Sequence, residues 1–299
     1  MTILVIGDVM LDRYWSGDVN RLSQEAPIPV VKMAKEAHRL GAAANVAANC
    51  AAMGAKTLLL GIVGVDESAE NMRRLIDQAG FAALLVEDPS ICTTQKLRII
   101  GKGQQIVRID FEKGPTESLG EIPLQYINNF DTIVFSDYGK GALRDVAKLI
   151  AAAKAAGKRA LVDPKGHDYG RYAGADVLKP NRDELRDMSG GWGTSEQLAS
   201  KARAIRREAD VGALVVTMAA DGMIVYDDNG STHIQSQARE VYDVTGAGDT
   251  VMAAMAVMLD EGKSLREAAE IANQAAGIAV GKFGTAIVSR HELEEAMNG

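Results

Sequence analysis

The sequence has little of what several classes of protein require. Among its 299 residues there are two cysteines, Cys50 and Cys92, which form neither a CxxC pair nor a disulfide framework. Cysteine usage of this kind is typical of a reducing compartment. The four histidines are scattered and show no metal-ligand spacing such as HExxH, which argues against a histidine-based metal centre.

An excess of positive charge and long apolar runs are also absent. The formal net charge is −7, and a general nucleic-acid binder would need a basic surface to displace counterions from phosphates. No apolar run reaches the roughly 20 residues of a membrane span, and the N-terminal stretch ILVIGD lacks the basic region of a signal peptide. We therefore expect a cytoplasmic protein that binds neither membranes nor nucleic acids. A local basic pocket for an anionic small molecule is compatible with these observations.

Short β-rich runs alternate with helical patterns along the chain. Most of the strand candidates are continuous apolar runs, as expected for parallel strands buried on both faces. The alternation predicts an α/β fold with a doubly wound, mostly parallel sheet and helices on both faces. No linker or repeat divides the chain, so we expect one domain over residues 1–299. The strand candidates are ILVI, TLLLGIV, TIVFS, RALVD, ALVVT and MIVY.

Two stretches, about 13–33 and about 92–112, break this alternation. In the second stretch, Val107, Ile109 and Phe111 alternate with charged residues, which is the period of a β-strand. The sequence GKG at 101–103 has the composition of a hairpin turn. These features predict a small antiparallel β lid over the edge of the main sheet, where it could cover a substrate.

The stretch VYDVTGAGDTVMAAMAVML begins a helix with glycines and an acid. The first N–H groups of a helix have no intrahelical partner and the helix dipole is positive there, so Thr245 to Asp249 could hold a phosphate. An acid beside such an anion site makes sense as a general base. Asp249 would take a proton from a hydroxyl while the amides of Gly246, Ala247 and Gly248 stabilise the transferring phosphoryl group.

A simpler interpretation of the same residues is a tight glycine turn followed by a favourable first-turn acid. The full phosphate-loop pattern GxxxxGK[ST] is absent. The pattern GxGxxG also fails, because Val251 stands where its last glycine would be. The local pattern by itself leaves both interpretations open.

Other stretches favour the catalytic interpretation, because together with DVTGAGDT they resemble the PfkB/ribokinase family of carbohydrate kinases. The resemblance covers nearly the whole chain and is carried by GDVMLD, GAAANVA, KPNRDE and NQAAGIAVGKFGT. It implies a ribokinase-like fold, ATP and Mg²⁺ as cofactors, and Asp249 as the catalytic base. In one place the chain departs from the family pattern, since Gly41-Ala42 stands where the family has two glycines.

The resemblance also implies residues that bind the sugar. Asp8 and Asp12 follow the first strand, at the sheet edge where open α/β folds bind ligands, and Asn45 resembles the family's sugar-binding asparagine. The predicted lid carries basic residues that could grip a phosphate on the substrate. The expected sugar-binding residues are Asp8, Asp12, Asn45, Lys96, Arg98, Arg108, Asp137 and Tyr138, with Gln104, Gln105 and Lys140 as weaker candidates.

A further set resembles the nucleotide and cation sites of the family. Asn181 and Glu184 would lie near the phosphates and Mg²⁺, with Glu184 acting through water, although N-x-x-E is also the pattern of a helix capping box. Asp163 and Lys165 follow another strand end, and Lys165 could meet a phosphate or form a strand-end salt bridge. Asp243 and Thr245, opposite Gly284, resemble a loop that binds a monovalent cation such as K⁺. The nucleotide residues are Asn181, Arg182, Asp183, Glu184, Thr217, Asp221, Gly222 and Asn273.

Within the family, GDVMLDRYWSGDVNRLSQEAPIPVV, TTQKLRIIGKGQQIVRIDFE and SDYGKGAL are most similar to the heptose 7-phosphate kinases of ADP-heptose synthesis. These enzymes phosphorylate the anomeric hydroxyl of D-glycero-D-manno-heptose 7-phosphate in the synthesis of lipopolysaccharide precursors. Many are fused to a nucleotidyltransferase domain, and we expect this chain to be the stand-alone kinase. We also expect a homodimer formed through the lid, because exposed strand edges tend to pair.

Three alternatives remain beside this expectation. The chain could be another kinase of the PfkB type that acts on a different sugar or sugar phosphate. It could be a sensor that binds nucleotide or sugar without turnover, but a sensor would be expected to have lost the Gly-Ala-Gly-Asp sequence that is intact here. An NAD-dependent reductase of doubly wound fold is disfavoured, because GDVMLD follows the first strand in place of GxGxxG.

Overall fold

The computed structural model describes residues 1–238 and 240–298. Its strands and helices are numbered here in chain order. The strands are β1 Thr2–Gly7, β2 Val9–Leu22, β3 Pro29–Ala42, β4 Lys56–Val63, β5 Ala82–Glu87, β6 Gln95–Gly101, β7 Gln104–Phe111, β8 Thr132–Ser136, β9 Arg159–Asp163, β10 Val177–Leu178, β11 Ala213–Thr217, β12 Met223–Asp227 and β13 Gly230–Ile234. The α-helices are α1 Ala43–Ala52, α2 Glu67–Ala79, α3 Leu124–Ile127, α4 Val146–Ala155, α5 Arg182–Ser189, α6 Ser195–Glu208, α7 Ala247–Asp260, α8 Leu265–Val280 and α9 Arg290–Asn298.

A nine-stranded sheet forms the centre of the fold, in the order β13-β12-β11-β10-β9-β8-β1-β4-β5. Its pairings are parallel except at one edge, where β12 is antiparallel to both β11 and β13. The predicted doubly wound, mostly parallel sheet is therefore confirmed. Because the strands run parallel, their carboxyl ends meet along one edge, which is where such folds bind ligands.

Each face of the large sheet is covered by its own helices and core. On β1, Ile3 and Val5 belong to a core that includes residues of α1, α7 and α8, whereas Leu4 and Ile6 belong to a second core with residues of α4 and α6. Alternate side chains of a strand point to opposite faces. Both sets are fully buried, which explains why this strand reads as a continuous apolar run.

A second, small sheet contains the strands β3-β2-β6-β7 in that order. The β2–β3 and β6–β7 pairings are antiparallel, as the sequence predicted, but β2 and β6 are parallel. The two stretches that break the βα alternation both contribute to it. The sheet also extends beyond the expected limits, because β2 begins at Val9 and β3 continues to Ala42.

The hairpin between β6 and β7 turns at Lys102 and Gly103, as the GKG sequence predicted. Both residues have positive φ, 50° and 78°, which is the conformation of a type I′ hairpin turn. Gly101 pairs with Gln104 across this two-residue turn. The turn fixes which side chains of β6 and β7 face each other.

The two faces of the small sheet differ in chemistry. Arg98 is paired with Arg108, and Lys96 lies between Asp12 on β2 and Asp110 on β7. Directly paired residues point to the same face, so this face carries the predicted basic residues. The opposite face of β7 presents Val107, Ile109 and Phe111, which are 43 %, 40 % and 43 % exposed. Among the helices of the described chain, none has the length and apolar character needed to cross a membrane.

Candidate active site

Helix α7 begins at the carboxyl edge of the large sheet, where the sequence placed the anion site. Its N-cap is Gly246, with φ 78°, and a Cβ there would lie 2.8 Å from the side-chain nitrogen of Asn45. Only glycine fits both constraints. The amide of Ala247 donates to the carbonyl of Val244 at 3.3 Å. The amides of Gly248 and Asp249 are therefore the first-turn donors best placed to meet an anion.

Asp249 is buried in the first turn of α7 and holds two hydrogen bonds. The Tyr138 hydroxyl donates to its Oδ1 at 2.6 Å, and the Asn45 side-chain amide donates to its Oδ2 at 2.9 Å. Burial raises the pKa of Asp249 to about 6, although these two hydrogen bonds and the nearby Lys179 lower it. A carboxylate with this pKa is ionised near pH 7 and still accepts a proton readily, as a general base must.

Asp12 and Arg98 form a buried ion pair beside this helix. The Arg98 guanidinium lies 2.6 Å from Asp12 Oδ1, and both side chains are more than nine-tenths buried. The Arg98 guanidinium also lies over the Tyr14 ring, 5.3 Å from its centroid. Arg98 is thus held rigidly on the basic face of the small sheet, with donors left over for a ligand, since guanidinium has five.

The other expected cations, Lys96 and Arg108 on this face and Lys140 in the loop after β8, are held less firmly. Burial lowers the pKa of Lys96, so a nearby anion would favour its charged form. Arg108 is exposed and forms a two-pronged ion pair with Asp110. Lys140 is paired with Glu112 at 2.6 Å. A phosphate bound here would compete with Asp110 and Glu112 for these two cations.

Asp8 and Asp137, expected near the sugar, both hold a loop. The two oxygens of Asp8 accept backbone N–H groups of the loop that follows β8. Asp137 accepts the Gly139 N–H at 2.8 Å and the Tyr172 hydroxyl at 2.8 Å. Both acids are buried. The structure therefore occupies these carboxylates with protein donors, whereas Tyr138, on the same loop, reaches Asp249.

A cavity of about 510 Å³ adjoins the first turn of α7. Its walls come from the start of α5, the segment after β11, the segment after β13, and α8. The volume is in the range of small-molecule sites. The lining includes six of the expected nucleotide residues together with two of the anion-site residues: Asn181, Arg182, Asp183, Thr217, Gly222, Asn273, Ala247 and Gly248. Asp221 forms an ion pair with Arg182 at 3.4 Å.

Glu184 does not line this cavity in the structure. It completes a capping box at the start of α5, in which Asn181 Oδ1 accepts the Glu184 N–H and Glu184 Oε2 accepts the Asn181 N–H. The other carboxylate oxygen of Glu184 lies 2.9 Å from Lys165 Nζ. The N-x-x-E pattern therefore forms the helix capping box that was the alternative interpretation. Lys165 forms a salt bridge, and its partner is Glu184.

Asp243 connects the two segments that resemble a cation loop. It accepts the Thr245 N–H and the Gly284 N–H, both at 2.9 Å. Partial burial acts to raise the pKa of Asp243, but these hydrogen bonds and the charge of Arg98 lower it overall. In the residues that the structure describes, no group of three or more histidine, cysteine, aspartate or glutamate residues could hold a metal ion.

Sequence reasoning missed Lys179, which directly follows β10. Lys179 is 2 % exposed, its Nζ lies 3.0 Å from Asp163 Oδ1, and it is 3.5 Å from the place where a Cβ of Gly248 would be. Burial raises the pKa of Asp163 to about 7 even though Lys179 lowers it. The available signal was its place in KPNRDE, at the carboxyl end of a strand.

Comparison with known proteins gives consistent results. A model of the pfkB family of carbohydrate kinases matches residues 2–292. The chain is 46 % identical over 295 residues to the D-beta-D-heptose 7-phosphate kinase of Bordetella bronchiseptica, with 97 % of this chain and 94 % of that protein covered. It is 45 % identical to the bifunctional protein HldE of Hydrogenovibrio crunogenus, of which it spans 62 % while 99 % of this chain is covered.

Solved structures show the same fold at lower identity. A ribokinase of Arabidopsis thaliana, complexed with ribose and ATP, aligns with a TM-score of 0.82 at 22 % identity and covers 100 % of this chain and 99 % of that one. Phosphofructokinase-2 of Escherichia coli, in complex with potassium, aligns with a TM-score of 0.82 at 18 % identity, covering 99 % and 98 %. These likenesses establish the fold.

Proposed function

Because this chain belongs to the pfkB family of carbohydrate kinases, we propose that it transfers a phosphoryl group from ATP to the anomeric O1 of D-glycero-D-manno-heptose 7-phosphate. The product would be the 1,7-bisphosphate, a precursor for ADP-heptose and lipopolysaccharide. The observation that carries the kinase chemistry is the buried Asp249 beside the first-turn amides of α7. The 46 % identity to a heptose 7-phosphate kinase supports the choice of sugar.

The residues of the site divide the reaction between them. The cavity beside α7 would hold the nucleotide, and the basic face of the small sheet would hold the sugar phosphate. Asp249 lies between these two regions and would accept the proton of the sugar hydroxyl, while the Gly248 and Asp249 amides and Lys179 face the transferring phosphoryl group. Such positioning and charge stabilisation account for most of phosphoryl-transfer catalysis.

A substrate screen tests this function. Heptose 7-phosphate, fructose 6-phosphate and ribose would be offered with ATP, alone and in competition, and ADP release would be measured. We expect heptose 7-phosphate to have the highest kcat/KM. Preference for another sugar would contradict the proposed substrate but leave the kinase chemistry, whereas no turnover with any sugar would favour the sensor alternative.

We propose that Mg²⁺ bound to ATP is held near Glu184 through water. When bound, Mg²⁺ would neutralise charge on the phosphates. Glu184 is at the start of α5, whose neighbouring residues line the nucleotide cavity. Its second oxygen is paired with Lys165, which is half-exposed. Release of that salt bridge would free this oxygen to accept a hydrogen bond from a water molecule bound to Mg²⁺.

Glu184→Gln should therefore raise the Mg²⁺ concentration for half-maximal activity by about tenfold. Glutamine also completes a capping box, so the change removes charge and leaves the cap. The measurement is a Mg²⁺ titration of initial rate together with thermal melting. Glu267→Gln is the matched control, because Glu267 forms the capping box of α8 with Ser264. An unchanged Mg²⁺ requirement for Glu184→Gln would restrict Glu184 to the cap.

We propose a monovalent cation such as K⁺ at the carbonyls around Asp243, Thr245 and Gly284. Asp243 already joins the two segments, and its carboxylate would balance the charge of the ion. This loop leads directly into Gly246, so a bound cation would stabilise the start of α7. Replacing K⁺ by tetramethylammonium at constant ionic strength, and measuring kcat, tests the proposal; equal rates would contradict it.

We propose that the small sheet is a lid. Its basic face carries the sugar-phosphate cations, and β7 is exposed along its length. A kinase must keep water from the γ-phosphate, and a lid over the site can do this. Such a lid must also move, because the sugar has to enter beneath it. The exposed apolar face of β7 also supports a homodimer formed through this sheet. Sedimentation equilibrium would distinguish that dimer from a monomer of 31.8 kDa.

Hydrogen exchange should detect the lid motion. We expect residues 92–112 to exchange their amides fast in the free protein and more slowly when heptose 7-phosphate is bound, because the ligand would join β6 and β7 to the large sheet. Strands β1 and β11, which are buried, serve as the internal control and should stay protected throughout. Equal protection of 92–112 with and without the sugar would show that the small sheet is fixed.

A further inference from the structure

Tyr138 lies on a loop that two buried carboxylates hold in one conformation. Asp8, at the end of β1, accepts its backbone N–H at 2.9 Å, and Asp137 accepts the Gly139 N–H at 2.8 Å. Asp137 is itself held by the Tyr172 hydroxyl at 2.8 Å. The remaining donors to Asp8 are the N–H groups of Lys140 and Ala142, at 2.9 Å and 3.0 Å.

This loop directs the Tyr138 ring at the first turn of α7. The Tyr138 hydroxyl is 2.6 Å from Asp249 Oδ1. Burial and the adjacent Asp249 carboxylate raise the pKa of Tyr138 well above its usual value. The phenol therefore stays protonated at neutral pH and acts as a donor to Asp249, so it does not compete for the proton that a base must accept.

We propose that Tyr138 is a positioning residue for phosphoryl transfer, whose hydroxyl orients the Asp249 carboxylate and keeps it available as the proton acceptor. The proposal rests on the kinase function given above. It assigns Tyr138 a role toward the base, in place of the sugar contact that the sequence suggested. The pre-formed bond to Oδ1 and the Asn45 bond to Oδ2 leave one lone pair on each oxygen for the sugar hydroxyl.

The proposed reaction forms one bond to phosphorus, breaks another and moves one proton to Asp249. The sugar oxygen forms a bond to the γ-phosphorus as the bond between that phosphorus and the β–γ bridging oxygen breaks. The bridging oxygen leaves with the electron pair as part of ADP. The proton of the sugar hydroxyl passes to a free lone pair of Asp249 and is later released to solvent. Tyr138 keeps its own proton throughout.

Several charged groups besides Tyr138 act on Asp249. Lys179, after β10, lowers the pKa of Asp249, and Asp12, on β2, raises it. Asp163, at the end of β9, also interacts with Asp249 through its charge. From α1, Asn45 contributes an uncharged donor. Tyr138 and Asn45 are thus the hydrogen-bond donors to this carboxylate in the described chain, and Tyr138 is the one at Oδ1.

Tyr138→Phe removes this donor and keeps the ring. A hydrogen bond to a charged group stabilises the charged form, so its loss should move the acid limb of the kcat/KM profile to higher pH by about one pH unit or more. The sign follows from the chemistry: a base works above its pKa, and loss of a donor to the carboxylate raises that pKa. We expect activity at pH 6 to fall by about tenfold relative to wild type, with partial recovery at pH 8.5.

Tyr172→Phe is the matched control. It removes a buried tyrosine-to-carboxylate hydrogen bond from the same loop, but the bond is to Asp137 and not to Asp249. The acid limb should stay at its wild-type pH even where thermal stability falls. An acid limb unchanged in Tyr138→Phe, or moved equally by Tyr172→Phe, would overturn the proposal.

A second measurement separates this proposal from the kinase function. The carboxyl ¹³C signal of Asp249, assigned with Asp249→Asn in aspartate-labelled protein, reports its pKa without any substrate. We expect it to titrate at higher pH in Tyr138→Phe than in wild type. If the protein phosphorylates no sugar but the signal shifts, the kinase function fails and the contact stands; an unshifted signal overturns the contact's role. Should Tyr138→Phe not fold, replacement of all seven tyrosines by 3-fluorotyrosine, a stronger donor, should move the signal to lower pH, and no movement would count against the proposal.

Discussion

Asp249→Asn is expected to lower kcat by about 10²-fold or more, because the variant lacks the base that takes the proton of the sugar hydroxyl. The fold can accept the change. The carbonyl oxygen of the introduced amide can keep one of the two donors, and the Tyr138 hydroxyl can rotate to accept from the amide nitrogen. The nucleotide cavity is unaltered, so the Kd for ATP should stay close to that of wild type.

Steady-state kinetics and calorimetric titration with ATP measure these two quantities. Asp260→Asn is the matched control, since Asp260 is the last residue of the same helix and accepts hydrogen bonds from Thr2 and Thr132. It should alter stability more than kcat. An Asp249→Asn variant that turns over near the wild-type rate would remove Asp249 from the chemistry.

The same substitution should stabilise the fold at neutral pH. Burial raises the pKa of Asp249 from 3.8 to about 6, so the folded chain keeps this proton to a higher pH than the unfolded chain does. Ionisation therefore reduces the free energy of unfolding as pH rises from about 4 to about 6, and the loss is complete above that. Asparagine has no such charge. A gain in Tm at pH 7.5 that disappears below pH 4 would identify a site where function costs stability.

Arg98→Ala should raise the KM for the sugar phosphate by about 10- to 100-fold and leave the KM for ATP nearly unchanged. Arg98 is the most deeply buried of the expected phosphate-binding cations, and its ion pair with Asp12 fixes its direction. Arginine can bind a phosphate with two parallel hydrogen bonds. Lys96 and Arg108 would supply part of the charge, but neither is held as firmly.

Removal of Arg98 also leaves Asp12 buried without a partner, which destabilises a protein strongly. A double variant, Arg98→Ala with Asp12→Asn, separates the two effects. It should recover much of the lost Tm, because the uncompensated charge is gone, but the KM for the sugar phosphate should stay high. Equal increases in the KM for ATP and for sugar phosphate, or recovery of the sugar KM in the double variant, would contradict a role of Arg98 in phosphate binding.

The sequence predicted those parts of the fold that depend on local pattern. The period of 107–111 and the GKG turn identified β7 and its hairpin, and the glycines before Asp249 identified the start of α7. The parallel pairing of β2 with β6 was not predicted, because it joins segments that are distant in the chain. The length of β3 was missed as well, since its exposed middle has little apolar periodicity.

The sequence predicted which types of residue follow the strands at the candidate site, but not what those residues contact. Asp8 and Asp137 were placed correctly at the carboxyl edge, but the sequence cannot show that the loop after β8 folds back to give them backbone donors. Lys179 lies in KPNRDE, but its position in that motif does not by itself indicate that the side chain is buried. Its burial next to Asp163 depends on two strands that are separate in sequence. Roles that depend on such tertiary contacts are seen only in the folded structure.

The parallel pairing of β2 and β6 also has a consequence for how the chain folds. The segment between these strands contains β3, α1, β4, α2 and β5, so the pair meets across a long loop whose closure costs entropy. The strands at the centre of the large sheet, by contrast, have apolar side chains buried on both faces, whereas β7 is exposed along its length. The small sheet is then the last part to assemble and the first to open on heating. Inactivation would precede global unfolding, and a probe on the Lys102 turn would report melting at a lower temperature than one in β1.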